Sequence, residues 1–553
     1  MQIVKPDAIT TTGSVTRTGV ATYYDSNGYL QTSTSGGLRF GYNPYTLEFV
    51  GLIVENSSTN LLLQSAAFDQ ASWSKTNINT PISNTETAPT NTVVAEKLIP
   101  TTTDGQHSVA QQFTASATSG QIYTISVFAK AAGYEWIRLQ FDGTAGGSSY
   151  CFFNLSTGAI GASSGITTLP DVEKLKNGWF RISVTKTITT NGTLSAGIYI
   201  QQSDNQLGTW VGNNTSGVVL YGAQAELKQK MTSYIATTTA TASRAAEVVT
   251  GSGLLYTNVT NPYSEWSAAT TYSLGQIVVV GTYTGSNTIT IANSGTYKSL
   301  INSNLNNNPV ISPSSWVRIG PTNQFAVFDN VVSSVTSKSD DITFVVKSTS
   351  VDSIAVLNAV ANKISTAVSD YSYSENYLGN VVFYRTEQLS GSESIDWYSY
   401  FFFDQDTQKT QALFLNVTQV TSGIITIRVL GTGTVTAGSF VSGQVKDIGA
   451  TQYGVTTGII DYSRKETDEF GNTSLVVRNY SKRMNAKVFL TNSNLNRVQR
   501  LLYSIRATPV LWIGSTDTTF EEPLVLLGYY KDFDTEIAYP AHSLCNLQVD
   551  GLI

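Results

Sequence analysis

The sequence predicts a mainly β, multidomain protein: a jelly-roll β-sandwich, a small aromatic-rich β module, a second β-sandwich and a C-terminal α+β domain. Three observations carry that expectation. Many runs alternate apolar and polar residues with period two, the signature of strands with one buried and one wet face. Gly, Asn and Ser turns separate those runs. Only 13% of the 553 residues are charged, where a typical soluble domain carries about 25%. Ser, Thr, Asn, Gln and Gly supply the polar surface instead, and these suit sheets and turns.

The elements follow in order. Residues 1–60 read as an N-terminal β segment, in which Ala21-Thr22-Tyr23-Tyr24 and Tyr29-Leu30-Gln31-Thr32 flank the turn Asp25-Ser26-Asn27-Gly28. Another apolar strand falls within 47–55. Residues 61–250 are the longest β-region: 121–129, 136–141 and 179–184 alternate strictly, and further strands fall at 194–201 and 218–227. So many short strands predict a two-sheet jelly roll. At its end, the Thr-, Ala- and Gly-rich stretch 237–253 reads as a linker or loose exit. Residues 262–320 are aromatic-rich and poor in aliphatics, with Trp266, Tyr272, Tyr283, Tyr297 and Trp316. A unit of that size is marginal, and aromatic anchors help to hold it. Residues 321–450 form the second sandwich, with strands at 342–346 and 424–429. Residues 451–553 carry the best helical signal: Leu495, Val498, Leu502 and Ile505 share one face, Asn492 or Ser493 stands where a cap would, and Pro509 follows. Strands at 510–513 and 524–530 complete a helix on an antiparallel sheet.

Several function classes are excluded by supply. The net charge is −6, and the densest basic cluster is short (Arg478, Lys482, Arg483, Lys487), so no nucleic-acid footprint is expected. No stretch reaches the length of a membrane-spanning helix, and the opening Met1-Gln2-Ile3-Val4-Lys5-Pro6-Asp7 has no signal-peptide pattern. Cys151 and Cys545 read as buried free thiols. His107 and His542 are the only histidines, and neither sits in a nucleophile elbow or a zinc spacing. Glycoside hydrolysis needs only two carboxylates, yet acids are sparse in the jelly-roll region and no short repeat of a β-helix occurs. A non-enzymatic protein without cofactor is therefore expected. Asp104, Asp142, Asp204 and Glu226 are the carboxylates a structural calcium would use, but they lack EF-hand spacing and no metal is predicted.

Sugars present flat CH faces edged by hydroxyls, which rings cover and amides or charged groups read. In the jelly roll, Tyr134, Trp136, Tyr199, Gln201, Gln202, Asn205 and Trp210 combine both types. Trp136 and Trp179 each open an alternating strand, so core packing stays open for them. Trp210 stands in a Gly-rich loop with no strand period to hold it inward, which makes it the preferred ligand platform. Trp266 and Trp316 are either the platform or the mini-core of the small module.

Thr16-Arg17, Ala21-Thr22-Tyr23-Tyr24-Asp25, Gly51-Leu52-Ile53-Val54-Glu55, Asn60-Leu61-Leu62, Asn177-Gly178-Trp179-Phe180-Arg181, Gly222-Ala223-Gln224-Ala225-Glu226, Thr232-Ser233-Tyr234-Ile235 and Ser243-Arg244-Ala245 occur in the order of a module common in phage tail proteins. Residues 16–245 resemble that module, whose members look like jelly-roll carbohydrate-binding domains. Trp266, Tyr272, Gly275, Val278, Tyr297, Pro309 and Trp316 resemble the tryptophan-rich chitin- and cellulose-binding modules of microbial hydrolases. Phe325-Ala326-Val327-Phe328-Asp329, Gly449-Ala450-Thr451-Gln452-Tyr453-Gly454, Asp461-Tyr462-Ser463-Arg464-Lys465, Phe470-Gly471 and Tyr529-Tyr530-Lys531-Asp532-Phe533 are similar to siphophage tail-tip and baseplate proteins. These resemblances imply a virion protein at the tail tip or baseplate. Its partners would be other phage tail and baseplate proteins and host surface polysaccharide. The chain would form a homo-oligomer, with a trimer favoured. The rival expectation is a structural adaptor or decoration protein without sugar binding. Phe401-Phe402-Phe403 favours some protein contact, because three successive rings cannot share one strand face.

Overall fold

A computed structural model of the chain describes all residues except 80, 371–380, 391–408, 421, 468–472, 518–520 and 538. The protein is mainly β and multidomain, with sandwiches, an aromatic-rich module and a C-terminal α+β region. It divides into two compact units. One is Thr16–Val248; the other joins Met1–Val15, Val249–Asp370 and Val382–Ile553. Phe401-Phe402-Phe403 and Phe470-Gly471 lie outside the described residues.

The Thr16–Val248 unit contains two six-stranded antiparallel sheets. One runs Asp171–Lys174, Trp179–Thr187, Ile122–Ala132, Gly217–Glu226, Val93–Leu98, Ile82–Thr87. The other runs Ile160–Ser164, Ser149–Asn154, Trp136–Asp142, Gly192–Gln201, His107–Ala117, Ser74–Thr76. Their inner faces interlock through Ile125, Val127, Ile182 and Val184 on one side and Ile137, Leu139, Ile198 and Ile200 on the other. Period-two alternation puts these residues inward.

Residues 16–60 are not a separate segment. Their hairpin pairs Ala21–Tyr24 with Leu30–Ser33, as the turn residues predict, and Asp25 Oδ1 accepts the backbone N–H groups of Asn27 and Tyr29. Tyr24, Leu30 and Ile53 then pack on Phe128, Trp179 and Tyr221 of the first sheet's outer face. Trp179 is therefore core.

A buried charge cluster seals this packing. Arg39 Nη2 lies 2.8 Å from Glu55 and 2.6 Å from Glu247, Arg17 Nε lies 3.0 Å from Glu247, and Arg244 Nη1 lies 3.3 Å from Glu55. All five side chains are at most 5% exposed. Arg17 and Arg39 also donate to backbone carbonyls and serine hydroxyls. Removing one partner of such a pair strands a buried charge. The stretch 237–253 is thus no loose linker: Thr237, Arg244 and Glu247 are buried in it.

In the other unit, a five-stranded sheet runs Gly253–Thr257, Thr336–Ser348, Gly423–Ala437, Lys363–Asp370, Val381–Gln388. It packs on Ala412–Val420, Val351–Leu357 and Ser439–Asp447 through Phe344, Val346, Ile354, Val356, Phe414 and Ile427, forming the second sandwich. The expected boundary at 450/451 is not a sheet boundary. Ser439–Asp447 pairs with Gln2–Pro6, which pairs in turn with Val510–Ile513, giving ten strands in one sheet among the described residues. Residues 1–6 belong here rather than with 16–60. The predicted helix is Asn492–Ser504, with Val498 and Leu502 buried against Met484, Val488 and Trp512. Its N-cap is Thr491, not Asn492 or Ser493; Asn492 instead donates to the Tyr539 and Pro540 carbonyls.

The small module pairs Ile277–Val280, Gly295–Ser299 and Trp316–Gly320 in one sheet. Tyr272, Val278, Tyr297 and Trp316 form its core. Tyr283 does not join them. It packs with Leu254 and Val259, and its hydroxyl lies 2.8 and 2.6 Å from the carbonyls of Gly13 and Leu255.

Candidate functional site

The strands Trp136–Asp142, Ser149–Asn154 and Gly192–Gln201 turn Ile137, Leu139, Phe141, Cys151, Phe153 and Ile198 to the core. Alternation sends their other residues to the sheet's outer face. The register arranges these in rows: Asn154–Trp136–Gln201, then Phe152–Arg138–Tyr199, then Tyr150–Gln140–Gly197, then Asp142–Ser195. Ser108 extends the second row beside Tyr199. Rings and hydrogen-bonding groups therefore interleave on one face.

Arg138 is its floor. The guanidinium lies over the Tyr199 ring at 4.1 Å, with Tyr150 at 5.6 Å and Phe152 at 5.8 Å. Arg138 is 5% exposed and Phe152 is sealed, while Trp136, Tyr150, Tyr199 and Asp142 are half-buried around them. Burial pulls the Arg138 guanidinium below its ordinary value, and Tyr199, Asp142 and Tyr150 pull it partly back. Asp142 accepts the Tyr199 hydroxyl at 2.9 Å and the Gln140 amide N–H. Burial, and then Asp142, push the Tyr199 phenol up.

Two glycines make this packing possible. A Cβ at Gly197 would lie 2.3 Å from Asp142 Oδ2 and 2.7 Å from the Tyr199 ring. A Cβ at Gly161 would lie 2.2 Å from Asp204 Oδ1 and 2.8 Å from Trp136 Cζ3. The loop after Gln201 crosses the Trp136 end of the face. Asp204 Oδ1 accepts the Ala162 N–H at 2.8 Å, and Gln106 donates to the Leu207 and Gly208 carbonyls while accepting from Arg138 Nη2 at 3.1 Å. Gln201 is fully buried, and neither atom of its amide has a partner. Such an orphan costs about 1–3 kcal/mol.

Of the residues singled out from sequence, Trp136, Tyr199 and Gln201 meet on this face. Gln202 and Asn205 are exposed on the adjoining loop. Trp210 is a correction: it is 5% exposed and belongs to the sandwich core. A single antiparallel bridge to Gly105 supplies the strand pairing its Gly-rich loop lacks in sequence, and holds the indole inward. It packs on His107 at 4.2 Å and on Tyr134 at 5.0 Å, so Tyr134 serves the core rather than the face. Trp316 is likewise core, 2% exposed, with its N–H donating to the Asn307 carbonyl at 2.8 Å. Trp266 packs half-buried against the same cluster. The pair is the mini-core, not a platform. Sequence reasoning missed Arg138, Gln140, Tyr150 and Phe152. The first two stand two and four residues beyond Trp136, so strand period alone places them beside it.

Among the described residues, no three His, Cys, Asp or Glu side chains gather as metal ligands. Asp142 serves Tyr199, Asp204 clasps Ala162, and buried Glu226 accepts Ser58, Thr232 and Gln224. No described helix is long and apolar enough to cross a membrane.

No protein-family model and no curated protein sequence matches the chain. Solved structures share partial likeness. The enzymatically active domain of tailspike protein 4 of bacteriophage CBA120 is similar at 11% identity and TM-score 0.18, over 29% of this chain and 20% of that one. The CBM22-1 xylan-binding domain of Paenibacillus barcinonensis Xyn10C is similar at 9% identity and TM-score 0.20, over 32% of this chain and 98% of that domain. The CBM22-1–GH10 modules of Clostridium thermocellum xylanase 10B are similar at 16% identity and TM-score 0.19, over 33% of this chain and 30% of that one. The chain thus spans about a fifth of the tailspike domain and under a third of the xylanase modules.

Proposed function

We propose that the chain is a non-enzymatic virion component of tail-tip or baseplate type, whose Thr16–Val248 unit binds host surface glycan. One observation carries the glycan part: half-buried Trp136, Tyr150 and Tyr199 interleave with Arg138, Gln140 and Asp142 on one outer sheet face. Rings cover sugar CH faces, and the polar groups between them read hydroxyls. The virion setting rests on the ordered sequence phrases resembling phage tail proteins. A trimer would multiply weak sites through avidity.

The test is a glycan array with the full chain and with Trp136→Ala. Loss of the ring is expected to weaken binding about two- to tenfold, since stacked rings contribute about 0.5–1.5 kcal/mol, with melting little changed. Binding that ignores the substitution, or no glycan binding at all, would overturn the assignment. Side-chain-resolution microscopy of the particle tests the location.

One observation favours an added protein-docking role in the other unit. The strands Arg464–Thr467 and Thr473–Val476 pair only with each other among the described residues, and Leu475 is 73% and Val477 85% exposed. A lone two-stranded hairpin is marginal in water, so a neighbouring protein is its natural support. Deleting 464–476 should leave the fold intact and stop incorporation into particles; normal incorporation would sink this role.

A further inference from the structure

We infer that the outer face centred on Arg138 recognises an acidic glycan, one whose sugar carries a carboxylate, rather than a neutral one. This rests on the glycan-binding reading above and adds the class of ligand. Every other arginine nine-tenths or more buried in the Thr16–Val248 unit except Arg181 stands within ion-pair reach of Glu55 or Glu247. Arg181 lies on the opposite sheet, stacked on Phe128 at 5.1 Å beneath the 16–60 segment. In this unit Arg138 alone combines burial, absence of a carboxylate within ion-pair reach and a place on an outer sheet face that the 16–60 segment does not cover.

The acids nearest to it are already occupied. Asp142 has one oxygen on the Tyr199 hydroxyl and the other on the Gln140 amide. Asp204 Oδ1 accepts the N–H groups of Ala162 and Asn205. Neither forms a salt bridge with the guanidinium. Of the guanidinium donors, Nη2 reaches only the neutral Gln106 carbonyl oxygen, and Nε is sealed without a partner. Across the strand pair, one row away, the Gln201 amide is also unpartnered.

Ring stacking fixes the guanidinium plane against Tyr199, so an arriving group meets the Nη1–Nη2 end rather than the sealed Nε. A planar carboxylate matches that end with two parallel charge-assisted hydrogen bonds, which a hydroxyl cannot do. Trp136 stands in the neighbouring row, where it would cover the CH face of the same sugar. Asp142 stands at one end of the face and Asp204 beside Trp136 at the other, so the carboxylate belongs between them, at Arg138 itself.

The experiment compares acidic polysaccharides (polygalacturonate, alginate, hyaluronan and glucuronoxylan) with the carboxyl-reduced form of each, using the full chain, Arg138→Gln, Arg138→Lys and Trp136→Ala. At least one acidic polymer should bind about tenfold more tightly than its reduced form, and the preference should shrink as salt rises. Arg138→Gln should abolish the preference, and Arg138→Lys should restore only part of it, because a point charge lacks the planar fork. Equal binding of acidic and reduced polymers that is still lost in Trp136→Ala would overturn the acidic-ligand inference and leave glycan binding standing. Preference unchanged in a folded Arg138→Gln would overturn it too. Binding to no polymer of either kind would overturn both readings.

Discussion

The Thr16–Val248 unit buries arginines in two ways. Arg17 and Arg39 sit buried within the 16–60 segment, with Glu55 and Glu247 against them and carbonyls or hydroxyls on their remaining N–H groups. Arg138 sits on an outer face, held by rings and one neutral amide. The first arrangement is closed on itself and does architectural work. The second leaves donors unused where a ligand could arrive. Burial of a charge is therefore not informative alone; what completes its hydrogen bonds separates a fold-closing group from a recognition group.

The largest effect should come from breaking the closed cluster. Glu247→Gln leaves three buried arginines with one carboxylate and should cost about 3–5 kcal/mol, read as a lower urea midpoint. A loss below about 1 kcal/mol would mean that the cluster behaves as a surface pair and the contrast fails.

Acid–base titration sharpens the contrast next. Arg244 and Arg39 overcome the burial penalty on Glu55 and hold it near 2, so its stabilisation is present above the unfolded value near 4.5 and is lost only as pH falls toward 2. Glu96 has no arginine against it and Glu173 feels Arg181 only beyond ion-pair distance, and burial raises both to about 7. The folded state then binds more protons than the unfolded chain between about 4.5 and 7, so stability declines as pH rises through that window. Unfolding at pH 5 and pH 8 should differ in favour of pH 5 by on the order of 2 kcal/mol for each of the two groups, and Glu173→Gln should flatten the slope. A steeper slope in that variant would contradict the assignment.

The smallest stability effect should belong to Arg138→Gln, within about 1 kcal/mol of wild type, because the lost cation–π stacking offsets the relief of an unpaired buried charge. A loss as large as that of Glu247→Gln would place Arg138 with the architectural arginines.

Much of the fold was legible because strand alternation is a local signal. The segments 121–129, 136–141, 179–184, 194–201 and 510–513 all became strands, and the Leu495–Val498–Leu502 stripe became the helix face. What failed was non-local. Nothing near Met1 announces that Gln2–Pro6 pairs with residues beyond 438, so the domain boundaries at 60 and 450 were misplaced. The site was half legible for the same reason. Period two places Arg138 and Gln140 beside Trp136, but only cross-strand register brings Tyr199 and Phe152 to Arg138. Trp210 misled because one bridge to Gly105, about a hundred residues away, outweighs its loop-like composition. Arg17, Glu55 and Arg244, which carry part of the resemblance to phage tail modules, proved to be members of the closed cluster. That signal reports how the module is sealed, not what it binds.

The strand Gln2–Pro6 also sets a schedule. Its two neighbours in the sheet, Ser439–Asp447 and Val510–Ile513, are translated more than 400 residues later, which at about 5–20 residues per second is a delay of roughly 20–100 s. Throughout that interval Ile3 and Val4 stand in a segment with both edges unpaired, while Thr16–Val248 can already have collapsed behind it. The ten-stranded sheet is therefore completed late, and its vulnerable phase belongs to synthesis rather than to the finished molecule.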